Sequence, residues 1–374
     1  MKGLKVFEAA STLMGAIIGA GILGIPYVVA KAGFFYGILN IVIIGLLVLF
    51  MNLCLGEIVL RTPNNHQLTG YAEKYLGKHG KRIMGFAMIF GIYGAMMAYL
   101  IGVGNTLSDM LGKTPMFFGI LFFVFVSSMI YFGIKSVGRT EMIMNILKST
   151  AFVVICGILL FFAKTSNLPS FNPAYIFLPY GAIIFAFIGT AAIPEMREEL
   201  RKNEQKLKKA ILIGSIVPVI FYILFALFVV ATIGSSTTEI ATHGLKLVSF
   251  PLFVISNIFA VLAMATAALI LGVALKETYM YDFHLKPFLA WALTCIIPFL
   301  MFFFARKGFI DIISLTGAIM GGLEGILIML MHRNAKLKGT RNPEFTIKNY
   351  FLLTGIIILI FVLGVLYNIW MFVK

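Results

Sequence analysis

The sequence has 374 residues, of which 60% are hydrophobic and only 12% are charged. Its mean hydropathy of +1.00 excludes a soluble domain, which could not bury so much apolar surface. The formal net charge of +15 would point to nucleic acid in a soluble protein, but here the basic residues fall in the loops between apolar segments, as in membrane proteins. We therefore expect the lipid bilayer as a partner and do not expect nucleic acid.

Apolar segments long enough to cross a bilayer recur along the whole chain, which predicts an all-α polytopic membrane protein. A membrane β-barrel would instead show weak alternation over about ten residues. We predict about eleven transmembrane helices, at 7–30, 34–60, 83–111, 115–132, 140–163, 178–195, 210–233, 250–275, 287–305, 308–331 and 349–372.

The loop charges predict the orientation of these spans. If the N-terminus is cytoplasmic, the inner loops hold 22 Lys and Arg residues and the outer ones hold 7, with Lys148 alone inside a span. This bias favours a multi-pass protein of the cell membrane with the N-terminus inside. An odd number of spans then places the C-terminus outside.

Two connections have recognisable patterns. Residues 61–82 contain Tyr71 and Tyr75 four positions apart, which predicts a short amphipathic helix at the inner surface. The run REELRKNEQKLKK, residues 197–209, is interpreted as a solvated helical turn or two with no chemistry of its own.

The first span contains GAIIGAGILGIPY, residues 15–27, which carries four glycines and Pro26. Such residues weaken a helix by roughly 1–3 kcal/mol each. Backbone exposed by a break at membrane depth must be buried in protein or bind a ligand. We predict a break in which the N–H groups near Gly19, Ala20 and Gly21 begin a second half-helix and bind a substrate carboxylate.

The sixth span repeats this signature in FAFIGTAAIPEM, residues 185–196. Gly189 and Pro194 are separated by five positions, as are Gly21 and Pro26. Glycine and proline also serve close helix packing, but paired interruptions in corresponding spans indicate an inverted-repeat transporter. Carbonyls at the end of its first half-helix would accept a substrate ammonium.

The chain is therefore predicted to form two inverted repeats, 1–163 (spans 1–5) and 178–333 (spans 6–10), followed by an extra span at 349–372. Between the repeats, non-helical backbone at 16–22, which includes Ala16, is expected to face a central cavity with Gly189 and Thr190 opposite.

These two motifs and GAMMAYLIGVGNTLS, residues 94–108, resemble the amino acid/auxin permease family, in particular its prokaryotic aromatic amino acid permease branch, within the amino acid–polyamine–organocation superfamily. The resemblance runs through at least spans 1–10. It implies a sodium-leucine-transporter-like fold, secondary active uptake of amino acids and a central site between spans 1, 3, 6, 8 and 10. It also places an aromatic residue over the substrate, here Phe185 or Phe187.

Ionisable residues inside spans are functional candidates by default. Lys148 lies nine residues into span 5, roughly 14 Å deep at about 1.5 Å per residue. Some proton-coupled members of the superfamily place a lysine there, where sodium-coupled relatives hold a cation near a span 8 hydroxyl, here Thr266. Glu324, deep in span 10, is a candidate either for proton coupling or for a buried structural contact, and Thr266 could instead bond its own helix.

We therefore predict a proton-coupled symporter of a neutral or aromatic amino acid. A sodium-coupled or exchange-mode transporter of the same fold is the alternative. An amino acid sensor that does not transport, or a channel, is the alternative from another functional class. The spans show no carboxylate pair or HExxH spacing for a membrane enzyme. No histidines or cysteines have ligand spacing, so neither a metal nor a cofactor is expected. The sequence does not indicate an oligomeric state.

Overall fold

The computed structural model describes residues 2–64, 66–132, 137–304, 307–348 and 351–373. Residues 65 and 133–136 of the predicted connections lie outside these ranges, as do residues 305–306, at the end of the ninth predicted span, and residues 349–350, at the start of the eleventh. The described α-helices are α1 (Lys2–Ile17), α2 (Gly21–Ala32), α3 (Phe34–Leu60), α4 (Leu68–Leu111), α5 (Pro115–Phe132), α6 (Val137–Leu160), α7 (Leu178–Phe187), α8 (Ala192–Glu199), α9 (Leu207–Ile233), α10 (Ala241–Gly244), α11 (Phe250–Tyr281), α12 (Pro287–Phe303), α13 (Phe309–Lys338) and α14 (Phe351–Val373). Short 3₁₀ turns lie at Thr165–Asn167, Pro173–Tyr175, Glu204–Lys206, Gly234–Ser236 and Leu245–Leu247.

Seven segments of the described chain are long and apolar enough to cross a membrane, or eight when α1 and α2 count as one bent span. Helices α6, α12 and α14 contain shorter apolar stretches. Every predicted span contains at least one of these helices, which confirms the all-α polytopic fold. The number of eleven spans and the boundaries of the repeats stay predictions.

Spans 1 and 6 are each built from two half-helices. The axis bends by 56° between α1 and α2, and four residues interrupt the path from α7 to α8. Helix α1 packs on α8, and α2 packs on α7. We therefore place α1 and α8 toward the face that holds the N-terminus, and α2 and α7 toward the opposite face. The Thr12 hydroxyl of α1 accordingly donates a hydrogen bond to Glu199 of α8 over 2.8 Å.

The predicted short helix within 61–82 is present at residues 68–76, while its position at the inner membrane surface stays a prediction. Gly77, whose backbone is non-helical with φ +75°, forms a kink between this short helix and the part of α4 that continues into the third span. Tyr71 and Tyr75 are buried rather than spread on a membrane surface, and the Tyr75 hydroxyl lies 2.8 Å from that of Thr62. The two rings share one helical face because they are four residues apart, but that face packs on protein.

The charged run at 197–209 is also more than a solvated turn. Arg197 is buried and donates to the carbonyl oxygens of Val59 and Thr62 over 2.8 and 2.9 Å. Its guanidinium also pairs with Glu204 at 3.0 Å. Arg197 thereby supplies side-chain donors to carbonyls at and just beyond the C-terminal end of α3, where regular helical hydrogen bonding stops.

Glu57, which the sequence places near a span end, is fully buried in α3. Its carboxylate accepts hydrogen bonds from Arg61 at 2.8 Å, from the backbone N–H of Ile347 at 2.6 Å, and lies 2.9 Å from Nε2 of His332. One carboxylate thus joins α3, α13 and the segment before α14.

We predict that Glu57→Ala lowers the free energy of unfolding by about 3–5 kcal/mol, because it leaves buried partners without their anion. Thermal unfolding of the purified protein in detergent measures the effect. Glu73→Ala is the matched control, since Glu73 forms an exposed pair with Lys81. Equal shifts in the two variants would contradict the structural importance of the Glu57 cluster.

Candidate substrate-binding site

The break in span 1 leaves residues 18–20 outside regular helix. The N–H of Gly19 donates to the carbonyl of Ile17 over 2.9 Å, so this amide is already occupied. Helix α2 begins at Gly21 with Ala20 before it, and the first N–H groups of a helix have no partner within that helix. The positive end of α2 therefore points into the break, with the amides of Ala20 and Gly21 rather than that of Gly19.

The glycines at this break allow close approach between elements. A Cβ atom on Gly21 would overlap the backbone of Ala186 in α7. A Cβ on Gly19 would lie 2.8 Å from the Cβ of Ala267 and 3.3 Å from the hydroxyl of Tyr99. Side chains at these positions would push α2 away from α7 and from α11, because real Cβ atoms do not approach so closely.

The break in span 6 begins where α7 ends at Phe187. Ile188 is extended, with φ −68° and ψ 120°, and α8 resumes at Ala192. The N–H groups of Ala192 and Ile193 turn back to the carbonyls of Gly189 and Thr190 over 3.0 and 3.1 Å. The negative end of α7 thus lies beside the positive end of α2, since Gly21 packs directly against Ala186.

A small cavity lies between the two breaks. Among its lining residues are five of the predicted substrate-binding positions: Ala16, Gly19, Ala20, Gly21 and Phe185. The other lining residues are Ile17, Ala95, Tyr99, Ile188, Leu271 and Met320. Its volume of about 20 Å³ holds about one water molecule, which is too small for an amino acid in this conformation.

Three predicted residues lie away from this cavity. Phe187 is two positions, or about 200° of helix rotation, from Phe185, and its ring packs on Tyr222 with centroids 4.9 Å apart. Gly189 lies against Leu13 and Ile17, and the Thr190 hydroxyl donates to Glu324 over 2.6 Å. Helix geometry therefore selects Phe185 of the two aromatic candidates.

Lys148 is buried and brings span 5 to the first break. Its Nζ donates to Oγ1 of Thr266 over 3.1 Å and to the carbonyl oxygen of Ile18 over 3.4 Å. The Thr266 hydroxyl also donates to carbonyls of its own helix, those of Leu262 and Ala263, at 3.0 and 3.1 Å. The predicted proximity of Lys148, Thr266 and the break is present, while its role in coupling stays a prediction.

Glu324 lies in α13 at the second break. It is fully buried, and its Oε1 atom has no hydrogen-bond partner among the residues described. The space next to the neighbouring Gly321 is occupied by the side chain of Ile184, and the space next to Gly325 by that of Phe361. The glycines near the carboxylate are therefore packed against protein and do not border open space. The three coupling candidates thus form two groups, one at each break.

Two tyrosines at the breaks were missed by sequence reasoning. Tyr99 is buried and lines the cavity near Gly19, and Tyr222 bonds to the carbonyls of Ile17 and Ala186, both over 2.8 Å. Tyrosines are common in apolar spans, so their presence alone does not indicate a functional role. The one signal in the sequence is that a hydroxyl deep in a span needs a hydrogen-bond partner.

Residues 2–371 match the tryptophan/tyrosine permease family. The chain belongs to this family. The permease is similar to the tyrosine-specific transport system 1 of Haemophilus influenzae, at 30% identity over 340 residues that cover 82% of this chain and 83% of the relative. It is also similar to the low affinity tryptophan permease of Escherichia coli K12, at 24% identity, with 95% of this chain and 93% of the relative covered.

The structure resembles the crystal structure of MhsT in complex with L-phenylalanine, with a TM-score of 0.73 and coverage of 96% of this chain and 98% of the other. At 14% sequence identity this likeness concerns the fold alone, and it confirms the predicted fold class. Family membership confirms that the protein is an amino acid permease rather than an enzyme. Among the described residues, no group of three or more His, Cys, Asp or Glu residues could hold a metal.

We predict that Gly21→Val abolishes amino acid binding, because the added side chain forces α2 away from Ala186 and dismantles the cavity. Thermal stabilisation of the purified permease by each of the twenty amino acids measures binding. Gly157→Val is the matched control, since nothing lies within 4 Å of a Cβ built on Gly157. Unchanged stabilisation of Gly21→Val would refute the placement of the substrate carboxylate at this break.

Proposed function

We propose that this permease carries an aromatic or bulky neutral amino acid together with a proton, by alternating access. The observation that carries the proposal is the contact of Lys148 with both Ile18 and Thr266. This lysine, which joins the broken span to span 8, matches by span and depth the position where the family resemblance expects either a coupling lysine or a cation.

The main-chain groups of the substrate would bind to the two neighbouring helix ends. The carboxylate would accept hydrogen bonds from the amides of Ala20 and Gly21, at the positive end of α2. The ammonium would lie against the carbonyls at the negative end of α7. The hydroxyl of Tyr99 is placed at the same cavity and would donate to the carboxylate, and the ring of Phe185 would cover the side chain.

The proposed substrate class is supported by the lining of the cavity and by the relatives. Three of the lining residues, Ala16, Ala20 and Ala95, have small apolar side chains, which would leave room for a ring once the cavity expands. Leu271 and Met320 close the present small volume, and methionine adapts readily to a bound group. The similar permeases are named for tyrosine and tryptophan.

Coupling follows from what the charge on Lys148 does to the first break. A charged lysine at this depth is costly and is stabilised by the oxygens of Ile18 and Thr266. The ammonium donates to both and holds α1 and α2 against α11, which preserves the amide end that binds the carboxylate. When the proton leaves toward the cytoplasm, these charge-assisted bonds weaken, the break loosens and the substrate is released.

The finer family assignment and the topology belong to the same proposal. We place the tryptophan/tyrosine permeases in the amino acid/auxin permease family of the amino acid–polyamine–organocation superfamily, on the three sequence motifs of spans 1, 3 and 6. The excess of Lys and Arg in the loops that face the N-terminal side supports a cytoplasmic N-terminus and an external C-terminus.

Glu324 is the second candidate for the proton site. Its buried carboxylate has one oxygen bonded to Thr190 and the other without a described partner, which is the arrangement of a group that can accept a proton. It would act on the second break rather than the first. Sodium coupling or exchange are the alternatives for the driving ion.

We predict that Lys148→Met abolishes accumulation of labelled tyrosine or tryptophan in proteoliposomes under an imposed pH gradient without sodium. The substitution keeps a long apolar side chain but removes the titratable donor. Lys208→Met, at an exposed position, should accumulate substrate like the parent.

If Lys148→Met still accumulates substrate, Lys148 is not the coupling residue and Glu324 becomes the candidate. The same measurement on Glu324→Gln then tests Glu324. A parent protein that accumulates substrate only when sodium is added would refute proton coupling.

A further inference from the structure

The hydroxyl of Tyr222 bonds to the ends of two half-helices that belong to different spans. Its oxygen lies 2.8 Å from the carbonyl oxygen of Ile17, the last residue of α1, and 2.8 Å from that of Ala186 in the last turn of α7. We propose that Tyr222 is a positioning residue that makes the opening of the inner and the outer half of the transporter mutually exclusive. This inference rests on the proposed alternating-access transport.

The Tyr222 hydroxyl has fewer hydrogen atoms than it has acceptors. A phenolic hydroxyl carries one hydrogen, so Tyr222 serves both carbonyls only through a shared, three-centre bond. Each half of a shared bond is weaker than a bond to one acceptor. If either carbonyl moves away, the whole donor passes to the other carbonyl, and that remaining bond becomes stronger.

The two carbonyls lie at the ends of half-helices that reach the middle from opposite faces. Helix α1 leads from the N-terminal face to the middle of the membrane, and α7 leads to the middle from the opposite face. Alternating access requires α1 to leave the centre when the site opens to the N-terminal face and α7 to leave when it opens to the other. Release of Ile17 therefore tightens the hold on Ala186, and release of Ala186 tightens the hold on Ile17.

Tyr222 lies in α9, a helix that belongs to neither broken span. Helix α9 is joined to α3 by the hydrogen bond from Asn52 to Ser215, over 3.2 Å. The Tyr222 ring is fully buried and packs on Phe187 with centroids 4.9 Å apart. The hydroxyl is thus carried by a helix outside both moving ends, while its ring also contacts Phe187 at the end of α7.

The test compares Tyr222→Phe with the parent in proteoliposomes, by measuring accumulation under a pH gradient, counterflow exchange and passive efflux of labelled amino acid. The variant retains the ring and its contact with Phe187 and loses only the hydroxyl. We expect exchange to stay near the parental rate, while efflux rises and accumulation falls about fivefold, the factor for loss of about one net hydrogen bond. Tyr36→Phe is the matched control, since its hydroxyl donates to a single carbonyl, that of Ile176, over 2.7 Å.

A general loss of folding would reduce exchange and accumulation in proportion, and that outcome overturns the proposal, as does parental accumulation with parental efflux. A parent protein that itself fails to accumulate amino acid would instead refute the proposed function.

A second measurement in native membranes removes the need for purified variant. Ala95→Cys, at the cavity, is introduced into a chain without its three native cysteines and is treated with an impermeant thiol reagent from each side. Tyr222→Phe should raise modification from both sides at once, whereas a rise from one side only would overturn the proposal.

Discussion

Every polar group of the backbone that a broken span exposes at membrane depth must be bonded within the protein, line a cavity or bind a ligand. Two consecutive carbonyls at the first break are bonded by side chains from two other helices. Tyr222 of α9 reaches the oxygen of Ile17, and Lys148 of α6 reaches that of Ile18. The break is therefore a junction at which α1 is tied at the same time to a neutral donor and to an ionisable one.

This arrangement explains why the site is so densely packed. Gly19 and Gly21 let α2 approach α11 and α7 until no room remains for a Cβ atom, and the cavity contracts to about 20 Å³. Close packing strengthens the electrostatic effect of both helix ends because it excludes water. It also leaves a cavity too small for an amino acid, so the elements that line it must move apart before a substrate enters.

The faces of the molecule differ in how they hold the half-helices. On the N-terminal side, α1 is tied to α8 by Thr12 and Glu199, and α8 is tied to α3 by Arg197. On the other side, α2 lies directly on α7 through Gly21 and Ala186. Polar bonds that can break and re-form thus hold one side, and backbone packing holds the other.

The sequence by itself determined the class of protein and the position of both helix breaks. It also determined which ionisable residues lie deep in a span, where a charge is unfavourable. Hydropathy revealed the spans, paired Gly and Pro revealed the breaks, and the depth of Lys148 singled out an ionisable group that needs oxygen ligands. Each of these signals is local, because it depends on the free energy of a short segment in lipid.

Only the tertiary structure decided which residues meet. Helix phase placed Phe185 on the cavity and Phe187 on Tyr222, and packing buried Tyr71 and Tyr75 that the pattern assigned to the surface. Arg197 and Tyr222 act on carbonyls of other helices, and Glu324 acts on Thr190, 134 positions away in the chain. Such contacts depend on the rotation and separation of distant helices, which no pattern within a single segment specifies.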